Sequence, residues 1–287
     1  QANAGFVDIT GGYNVLTFGD FELKNGDIEG KLAAGGDVYF SIGYDVYADN
    51  NNGDYNLEAI VSGKNVNINA SGQVNGSIYA AKDVKVDNGT VKGNIYAENI
   101  TLKDWDIYGV SYYTNSADVG NKPSEKRNNI PVMVDFDQKY DAAKELSEQL
   151  ADYSGTTVSK DGSNVLNFAD VSGEDVIFYT VDAEDLEGVS SLYFENLNKQ
   201  YVINVDGKNN DLVLNQINQN NYNKQEDFNF SNVLFNFNNA NSLSIGSFYG
   251  NILATDIDVM GSNGQMNGCL VAKSFKNADD VGAFEFH

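Results

Sequence analysis

A seven-residue pattern occurs five times in this chain of 287 residues and restricts the folds that the chain can adopt. Each copy has the pattern apolar–x–Gly–x–(Ile or Leu)–x–Ala, and the glycines within a cluster lie 17 or 18 residues apart. Because alternate residues of a strand point to opposite faces, the four patterned positions predict a strand with one buried face. The copies occupy residues 28–34, 74–80, 91–97, 248–254 and 266–272.

The spacing between copies is too short for a helix-containing repeat or a propeller blade, and it is typical of one turn of a β-solenoid. Stacked strands lie about 4.8 Å apart, so like residues come to lie above like residues. Small residues at fixed positions let such a coil turn a corner without overfilling its interior. We therefore predict an all-β fold, a β-solenoid (parallel β-helix) with three short faces. An antiparallel sandwich with glycine-rich turns is the alternative.

The period fails in the middle of the chain, where a sixth copy beginning at Gly109 continues as Val-Ser-Tyr-Tyr. Residues 114–131 contain both prolines and Arg127, the only arginine, and they predict an exposed crossing loop. Residues 135–153 carry an apolar stripe at steps of three and four, which predicts one α-helix packed along the flank of the solenoid. Gly155 is its expected C-cap, and a partner-binding role for this helix is the alternative.

Residues 165–245 return to short β runs between Asp, Gly and Asn turns. Within them, the Asn-rich residues 215–229 predict either a protruding loop or an asparagine ladder inside the solenoid. The last two copies of the repeat then close the chain. No segment has the composition of an interdomain linker, so we expect a single domain over residues 1–287.

The charge balance excludes one class of partner. The chain has 41 acidic and 18 basic residues, for a net charge of -23, so it lacks the cationic surplus that displaces counterions from nucleic acid. No apolar run approaches the length of about 20 residues that spans a bilayer, so we expect no membrane insertion. The single cysteine excludes a disulfide framework and a multi-cysteine metal cluster.

The sequence offers little catalytic apparatus, and we predict a protein that is not an enzyme. The only histidine, His287, is the last residue, and Cys269 occupies an outward slot of its repeat. Paired carboxylates can hydrolyse glycosides, so a polysaccharide-active β-helix enzyme is an alternative. Close acidic pairs arise by chance in so acidic a chain; they are Asp104/Asp106, Asp256/Asp258 and Asp279/Asp280.

One acidic loop is a candidate metal site. Asp45, Asp49, Asn51 and Asp54 lie in a stretch with the Asp/Asn density and glycine turn of a calcium loop. The stretch lacks the regular ligand spacing of such loops, so a solvated turn is the alternative. Calcium is the one cofactor that the sequence suggests.

Three aromatic residues are candidates for binding a ligand. Tyr79, Tyr96 and Tyr249 occupy slots of the repeat that should point outward, where a ladder of tyrosines can stack flat on sugar rings or on apolar patches. Cover by the flanking helix is the alternative. Ice binding is a further alternative function, although the chain has only nine threonines and no Thr-x-Thr.

Several segments spread over nearly the whole chain carry a resemblance to a known family. They are residues 14–20, 27–37, 134–136, 146–150, 233–243, 250–254, 267–268 and 272–273. Together they resemble the choice-of-anchor A domain, and the repeats are also similar to those of the ice-binding solenoid fold. The resemblance implies an exported bacterial adhesin-like domain, attached to the cell surface through a region outside this sequence. It implies a protein or glycan ligand on a host or neighbouring cell, and it supplies no catalytic residues.

Overall fold

The computed structural model describes residues 2–51, 53–103, 106–153, 155–169, 173–196, 198–214, 229–278 and 283–287. Within them lie three α-helices, α1 (Ala2–Thr10), α2 (Phe136–Ala151) and α3 (Ala183–Leu186). The strands, in chain order, are β1 (Tyr13–Thr17), β2 (Phe21–Ile28), β3 (Lys31–Ala34), β4 (Val38–Val46), β5 (Glu58–Ser62), β6 (Val66–Val74), β7 (Ser77–Ala80), β8 (Asp83–Val91), β9 (Ile95–Leu102), β10 (Asp106–Ile107), β11 (Ser111–Asp118), β12 (Ser124–Lys126), β13 (Thr156–Thr157), β14 (Val165–Phe168), β15 (Val176–Asp182), β16 (Ser191–Phe194), β17 (Gln200–Asp206), β18 (Asp211–Leu214), β19 (Val233–Asn238), β20 (Ser242–Ile245), β21 (Phe248–Tyr249), β22 (Asn251–Gly261), β23 (Gly264–Asn267), β24 (Leu270–Asn277) and β25 (Phe284–Phe286).

The fold is all-β and solenoid-like, because the strands pair in parallel along three stacks, which we call faces; β14 and β16 pair in parallel only with each other. The first face runs β13–β15–β17–β19–β22–β24–β1–β3–β5–β7–β9–β11–β12. The second runs β18–β20–β22–β24–β2–β4–β6–β8–β9. The third runs β21–β23–β25–β2–β4–β6–β8–β10.

The order of strands in space differs from their order in the chain. Val15 of β1 pairs with both Leu270 of β24 and Leu32 of β3, so the first strand lies in the middle of the stack. The chain winds from there to one end at β12, continues through α2, resumes at β13 and winds back to the middle. The two clusters of repeats, far apart in sequence, are therefore neighbours in space.

The predicted inward positions form the core. Leu32, Ile60, Ile78 and Ile95 follow one another in register along the first face, and all four are fully buried. Burying one branched aliphatic side chain stabilises the folded chain by about 1.5–3 kcal/mol. Because successive turns place such residues above one another, the core extends along the solenoid.

The flanking helix is confirmed, and its residues explain its bounds. Asp135 is the N-cap, where its Oδ1 accepts a hydrogen bond from the backbone N–H of Gln138 at 3.1 Å. The helix ends at Ala151, so the prediction of Gly155 as its C-cap was wrong. A Cβ on Gly155 would lie 2.8 Å from the carbonyl oxygen of Phe178, so close packing against β15 is what favours glycine there.

Three other expectations differ from the structure. The sixth copy does form a strand, because main-chain pairing to β9 tolerates Ser111 in the position where other copies have Ile. Residues 114–131 are not a loop throughout, since β11 extends to Asp118 and β12 adds a strand at the end of the first face. The prediction of one helix missed α1, which packs against α2, and the short α3. Residues 215–228 of the Asn-rich segment lie outside the described residues.

Glycines of adjacent copies, Gly76 with Gly93 and Gly250 with Gly268, lie directly above one another where main chains approach closely. A Cβ on Gly93 would lie 2.4 Å from the carbonyl oxygen of Gly76, and one on Gly109 would lie 2.2 Å from that of Gly93. The same holds for Gly268, whose Cβ would lie 2.0 Å from the oxygen of Gly250. These distances are shorter than van der Waals contact, so the stack excludes any side chain at these positions.

We predict that Gly93→Ala lowers the free energy of unfolding by about 1–3 kcal/mol, because backbone atoms of Gly76 must move to accommodate the methyl group. Urea unfolding followed by circular dichroism measures this loss. Gly162→Ala is the matched control, since its Cβ would meet no atom within 4 Å. Equal stability of the two variants would contradict the stacking requirement.

Candidate ligand-binding surfaces

Helices α1 and α2 cover the outer side of the first face over much of its length. Eight residues from strands of the face belong to the same buried cluster as apolar residues of the helices, so this part of the face is closed to ligands. The strands contribute Tyr13, Leu16, Ala33, Val61, Val202, Leu234, Leu253 and Val271, and the helices contribute Phe6, Ile9, Ala143 and Leu150.

A buried ladder of amides holds α2 in place on this face. Asn236 donates from Nδ2 to the carbonyl oxygen of Ser147 and to Oδ1 of Asn204, both at 2.9 Å. Ser147 Oγ donates in return to Asn236 Oδ1 at 2.7 Å, and Asn204 Nδ2 donates to the carbonyl oxygen of Leu150 at 2.8 Å. A buried network that is fully hydrogen-bonded favours one docking register, because any shift would leave amides unpaired. This ladder lies outside the sheet, beneath the helix.

At the edge of the helix-covered cluster, which Tyr79 still contacts, the outer side of the first face carries three stacked tyrosines and the only arginine. The Tyr79 and Tyr96 rings are stacked with centroids 4.4 Å apart, and Tyr96 and Tyr112 follow at 4.8 Å. The guanidinium of Arg127 lies 4.3 Å from the centroid of Tyr112. We call these four residues the tyrosine stack. Its three rings are half-buried and repeat at the spacing of the strands.

The geometry of the tyrosine stack determines what it offers a ligand. Each inner ring face is covered by the next ring or by Arg127, so edges and hydroxyl groups are presented rather than open ring faces. Burial, together with the neighbouring Tyr96 hydroxyl, raises the pKa of Tyr79 to about 12. Its hydroxyl therefore keeps its proton at neutral pH and can donate a hydrogen bond. The expectation that a sugar ring would lie flat on these rings does not fit this arrangement.

Tyr249 does not belong with Tyr79 and Tyr96, and its prediction as an exposed residue was wrong. It lies in β21 of the third face, is only 5% exposed, and accepts a hydrogen bond from Gln265 Nε2 at 3.2 Å. Tyr249 lies one residue before its repeat glycine, whereas Tyr79 and Tyr96 each lie three residues after theirs. In the copy that contains Tyr249, the residue three positions after the glycine is Leu253. Sequence reasoning missed Tyr112 because the sixth copy was treated as broken.

A groove adjoins the tyrosine stack on the side facing α2. It has a volume of about 390 Å³ and includes Tyr79, Val61 and Phe136 together with the segment that precedes the helix. In that segment Val132 is 86% exposed and Met133 is 39% exposed. An apolar surface therefore lies next to the row of tyrosine hydroxyls.

The structure does not bring the candidate calcium ligands together. Asp45 lies within β4, where its Oδ1 accepts a hydrogen bond from the backbone N–H of Gln73 at 3.0 Å. Asn50 holds the loop by donating to the carbonyl oxygens of Asp54 at 3.0 Å and Asn75 at 2.7 Å. Among the residues that the structure describes, no three His, Cys, Asp or Glu side chains are placed to hold a metal ion. Asp49 and Asn51 lie in the turn without such a group around them.

His287 pairs with acidic residues of the third face. Its Nδ1 lies 2.6 Å from Oε1 of Glu29, and its Nε2 lies 2.9 Å from Oε2 of Glu285. Burial and the neighbouring charges of Asp45 and Glu285 raise the pKa of Asp27. The strands thus bring several carboxylates of this acidic chain close together.

The other candidate catalytic groups are dispersed. Cys269 packs against the helix-covered cluster, as its outward slot predicted, and burial raises the pKa of its thiol. Asp256 pairs with Lys144 and Tyr140, while Asp258 accepts a hydrogen bond from Ser274. Asp104 and the pair 279 and 280 lie outside the described residues.

A ladder of short polar side chains marks the start of the second face. Oδ1 of Asp20 accepts a hydrogen bond from the backbone N–H of Asp37 at 2.7 Å, and Oδ1 of Asp37 accepts one from that of Asn65 at 3.1 Å. Asn65 Oδ1 accepts from the N–H of Asp83 at 3.1 Å, and Asp83 Oδ1 accepts from Asn99 Nδ2 at 2.8 Å. Each side chain of the ladder thus joins its own turn to the next.

We predict that Asp27→Asn raises the melting temperature at neutral pH. A carboxyl whose pKa is raised by folding binds its proton more tightly in the folded chain, so its ionisation destabilises the fold as pH rises through that pKa. The advantage of the variant should vanish below the ordinary pKa of aspartate, near 3.8. Thermal unfolding across this pH range measures it. Asp118→Asn makes the same charge change at an exposed site, and an equal gain there would contradict the assignment.

None of the helices in the described residues is long and apolar enough to cross a membrane.

Comparisons with known proteins show the family to which the chain belongs. A search of curated proteins finds no match to the chain. A family model described as "Putative Ice-binding-like adhesive domain" matches residues 6–287. The chain therefore belongs to this family of ice-binding-like adhesive domains.

Proposed function

We propose that this chain is a non-enzymatic adhesion domain, a β-solenoid of the choice-of-anchor A type displayed on a bacterial surface, and that the tyrosine stack binds its ligand. A region outside this sequence would anchor it. The observation that carries the proposal is the stack of Tyr79, Tyr96 and Tyr112, which extends from the edge of the helix-covered cluster at Tyr79 to Arg127. The match to an adhesive family supports the same function.

The chemistry of the tyrosine stack suits adhesion. Tyrosine and arginine are enriched among the residues that contribute most to protein interfaces, and a rigid tyrosine loses little conformational entropy on binding. Here the rings are already held by stacking and by their strands, so the surface is preorganised. The adjoining groove adds exposed apolar area at Val132 and Met133.

The ligand we propose is a protein or glycan on a host or neighbouring cell. Rings whose centroids lie 4.4–4.8 Å apart along the stack favour a partner that extends across several strands rather than a compact molecule. The net charge of -23 favours encounter with cationic partners and opposes nucleic acid or anionic membrane surfaces. The absence of catalysis is part of the proposal, and it is supported by the separate partners of Asp256 and Asp258 and by the raised pKa of the Cys269 thiol.

We predict that Tyr96→Ser weakens adhesion by about tenfold, because it interrupts the tyrosine stack in its middle. The measurement is binding of the purified domain to an array of glycans and extracellular-matrix proteins, with and without a calcium chelator. Tyr39→Ser removes a tyrosine from the second face and is the matched control. Tyr96→Phe keeps the stacked ring and separates the role of the hydroxyl. Equal binding by Tyr96→Ser and the unsubstituted domain would remove the stack from the function.

Ice binding is the second candidate, since the polar ladder from Asp20 to Asn99 is a regular array. Its oxygens already accept hydrogen bonds from the adjacent turn, and charged Glu22, Lys85 and Lys276 occupy outward positions of the same face. We therefore expect no thermal hysteresis at any protein concentration. A hysteresis gap that Asn65→Leu abolishes would instead favour ice binding.

A further inference from the structure

A second groove lies at the corner between the first and second faces, apart from the tyrosine stack. It has a volume of about 720 Å³, inside the range of about 300–1,000 Å³ that is usual for small-molecule sites. No residue of the tyrosine stack lines it. We call it the corner groove, and the residues that define it are Gly19, Gly36, Lys64, Lys273 and Lys276.

The corner groove exists because two neighbouring turns carry no side chain at the corner. The last residues of β1, β3, β5 and β7 pair in register, so the residues two positions after them are equivalent. Those residues are Gly19, Gly36, Lys64 and Lys82. On the other side of Gly19, the carbonyl oxygen of Lys273 accepts a hydrogen bond from the N–H of Gly19 at 2.6 Å. A bare main-chain floor therefore separates Lys273 from Lys64, three strand spacings or about 14 Å along the solenoid.

The lysines of the corner groove have no acidic partners. Lys64, Lys273 and Lys276 are all exposed, and none of them forms an ion pair with a carboxylate of the described residues. Carboxylates are plentiful, since the chain has 41 acidic residues against 18 basic ones, and other lysines such as Lys31 and Lys144 do pair. Three ammonium groups around one concave surface are therefore available to the anionic groups of a ligand.

Three carboxylates line the corner groove as well. Asp20 accepts a hydrogen bond at Oδ1 from the N–H of Asp37 at 2.7 Å, and Asp258 accepts one at Oδ1 from the Ser274 hydroxyl. Glu22 is the third, and an ionised carboxylate is an acceptor only, so it can bind the hydroxyl groups of a ligand. Three lysines against three carboxylates leave the groove balanced in charge, unlike the chain as a whole with its net charge of -23.

Apolar side chains complete the wall of the corner groove. Phe18 and Met260 line it, and both are half-buried. The Phe18 ring is held by an edge-on contact with Tyr140, with centroids 5.2 Å apart. The groove thus offers cations, hydrogen-bond acceptors and apolar area together, a combination that matches a sugar bearing an anionic group, several hydroxyls and a face of C–H groups.

We propose that the corner groove binds a short chain of uronate sugars. Uronate carboxylates pair with the three lysines, sugar hydroxyls donate to Asp20 and Asp258, and the C–H faces of the rings contact Phe18 and Met260. One charge per ring suits a groove that is balanced in charge, whereas a heavily sulfated glycan brings several charges per ring against the three carboxylates. The site does not depend on the tyrosine stack.

The test is calorimetric titration of the full chain with trigalacturonate, with its trimethyl ester and with a heavily sulfated galactose trisaccharide. The ester keeps every ring and free hydroxyl and removes only the charges. We expect trigalacturonate to bind, the ester to bind at least tenfold more weakly, and the sulfated sugar to bind several times more weakly. No binding of trigalacturonate, equal binding of the ester, or tighter binding of the sulfated sugar would overturn the proposal.

Variants assign the binding to the groove. Lys64→Gln and Lys273→Gln should each weaken trigalacturonate about threefold, and the double variant about tenfold, because each removes one exposed charge pair. All three side chains of the groove are exposed, so circular dichroism should show an unchanged fold. The matched control combines Lys82→Gln with Lys126→Gln, which removes two exposed lysines outside the groove and should leave affinity unchanged. An equal loss in this control would contradict the site. Tyr96→Ser should keep its affinity for trigalacturonate, so failure of the tyrosine stack is distinguishable from failure of the corner groove.

Discussion

Parallel pairing of each turn with the next is the interaction on which the rest of the structure depends. It fixes the spacing between turns and requires like residues to lie above like residues, as Leu32, Ile60, Ile78 and Ile95 do in the core. The same requirement applies where no side chain fits, at Gly76 and Gly93. A residue that differs from the equivalent residues of adjacent turns must therefore be accommodated by those turns or by another side chain.

Asn14 shows how such a departure is accommodated. It stands between Gly268 and Gly30, where the two halves of the chain meet in the middle of the stack. Its Nδ2 donates to the carbonyl oxygen of Gly268 at 3.0 Å, and its Oδ1 accepts from the backbone N–H of Gly30 at 3.2 Å. One amide side chain thus bridges the seam by imitating the hydrogen bonds of a main chain. The junction is therefore hydrogen-bonded on both sides of Asn14, although the pairing of β1 with β3 shifts register between Tyr13 and Val15.

Sequence predicts those features that repeat locally. The parallel turns, three stacks of inward residues and the helix beginning after Asp135 follow from period, burial pattern and capping. The position of β1 between β24 and β3 does not follow, because no local pattern encodes which distant turn becomes a neighbour. The same limit applies to function. Tyr112 pairs with Tyr96 in a turn that lacks the apolar residues of the repeat, so the sequence pattern does not reveal this pair. Tyr249 is buried, and the spacing of the repeats alone does not show which way its position faces.

Helix α2 borders the groove beside the tyrosine stack, so its position on the sheet also sets the shape of that groove. Phe136, at its first turn, lines the groove together with Tyr79, whereas Lys144 pairs with Asp256 of β22 farther along the helix. Beyond that pair, Ser147 bonds to Asn236 and fixes the register of the helix on the sheet. A slip of the helix would displace Phe136 and change the groove. The buried amides therefore do more than offset their own desolvation, since they hold the groove in one fixed relation to the tyrosine stack.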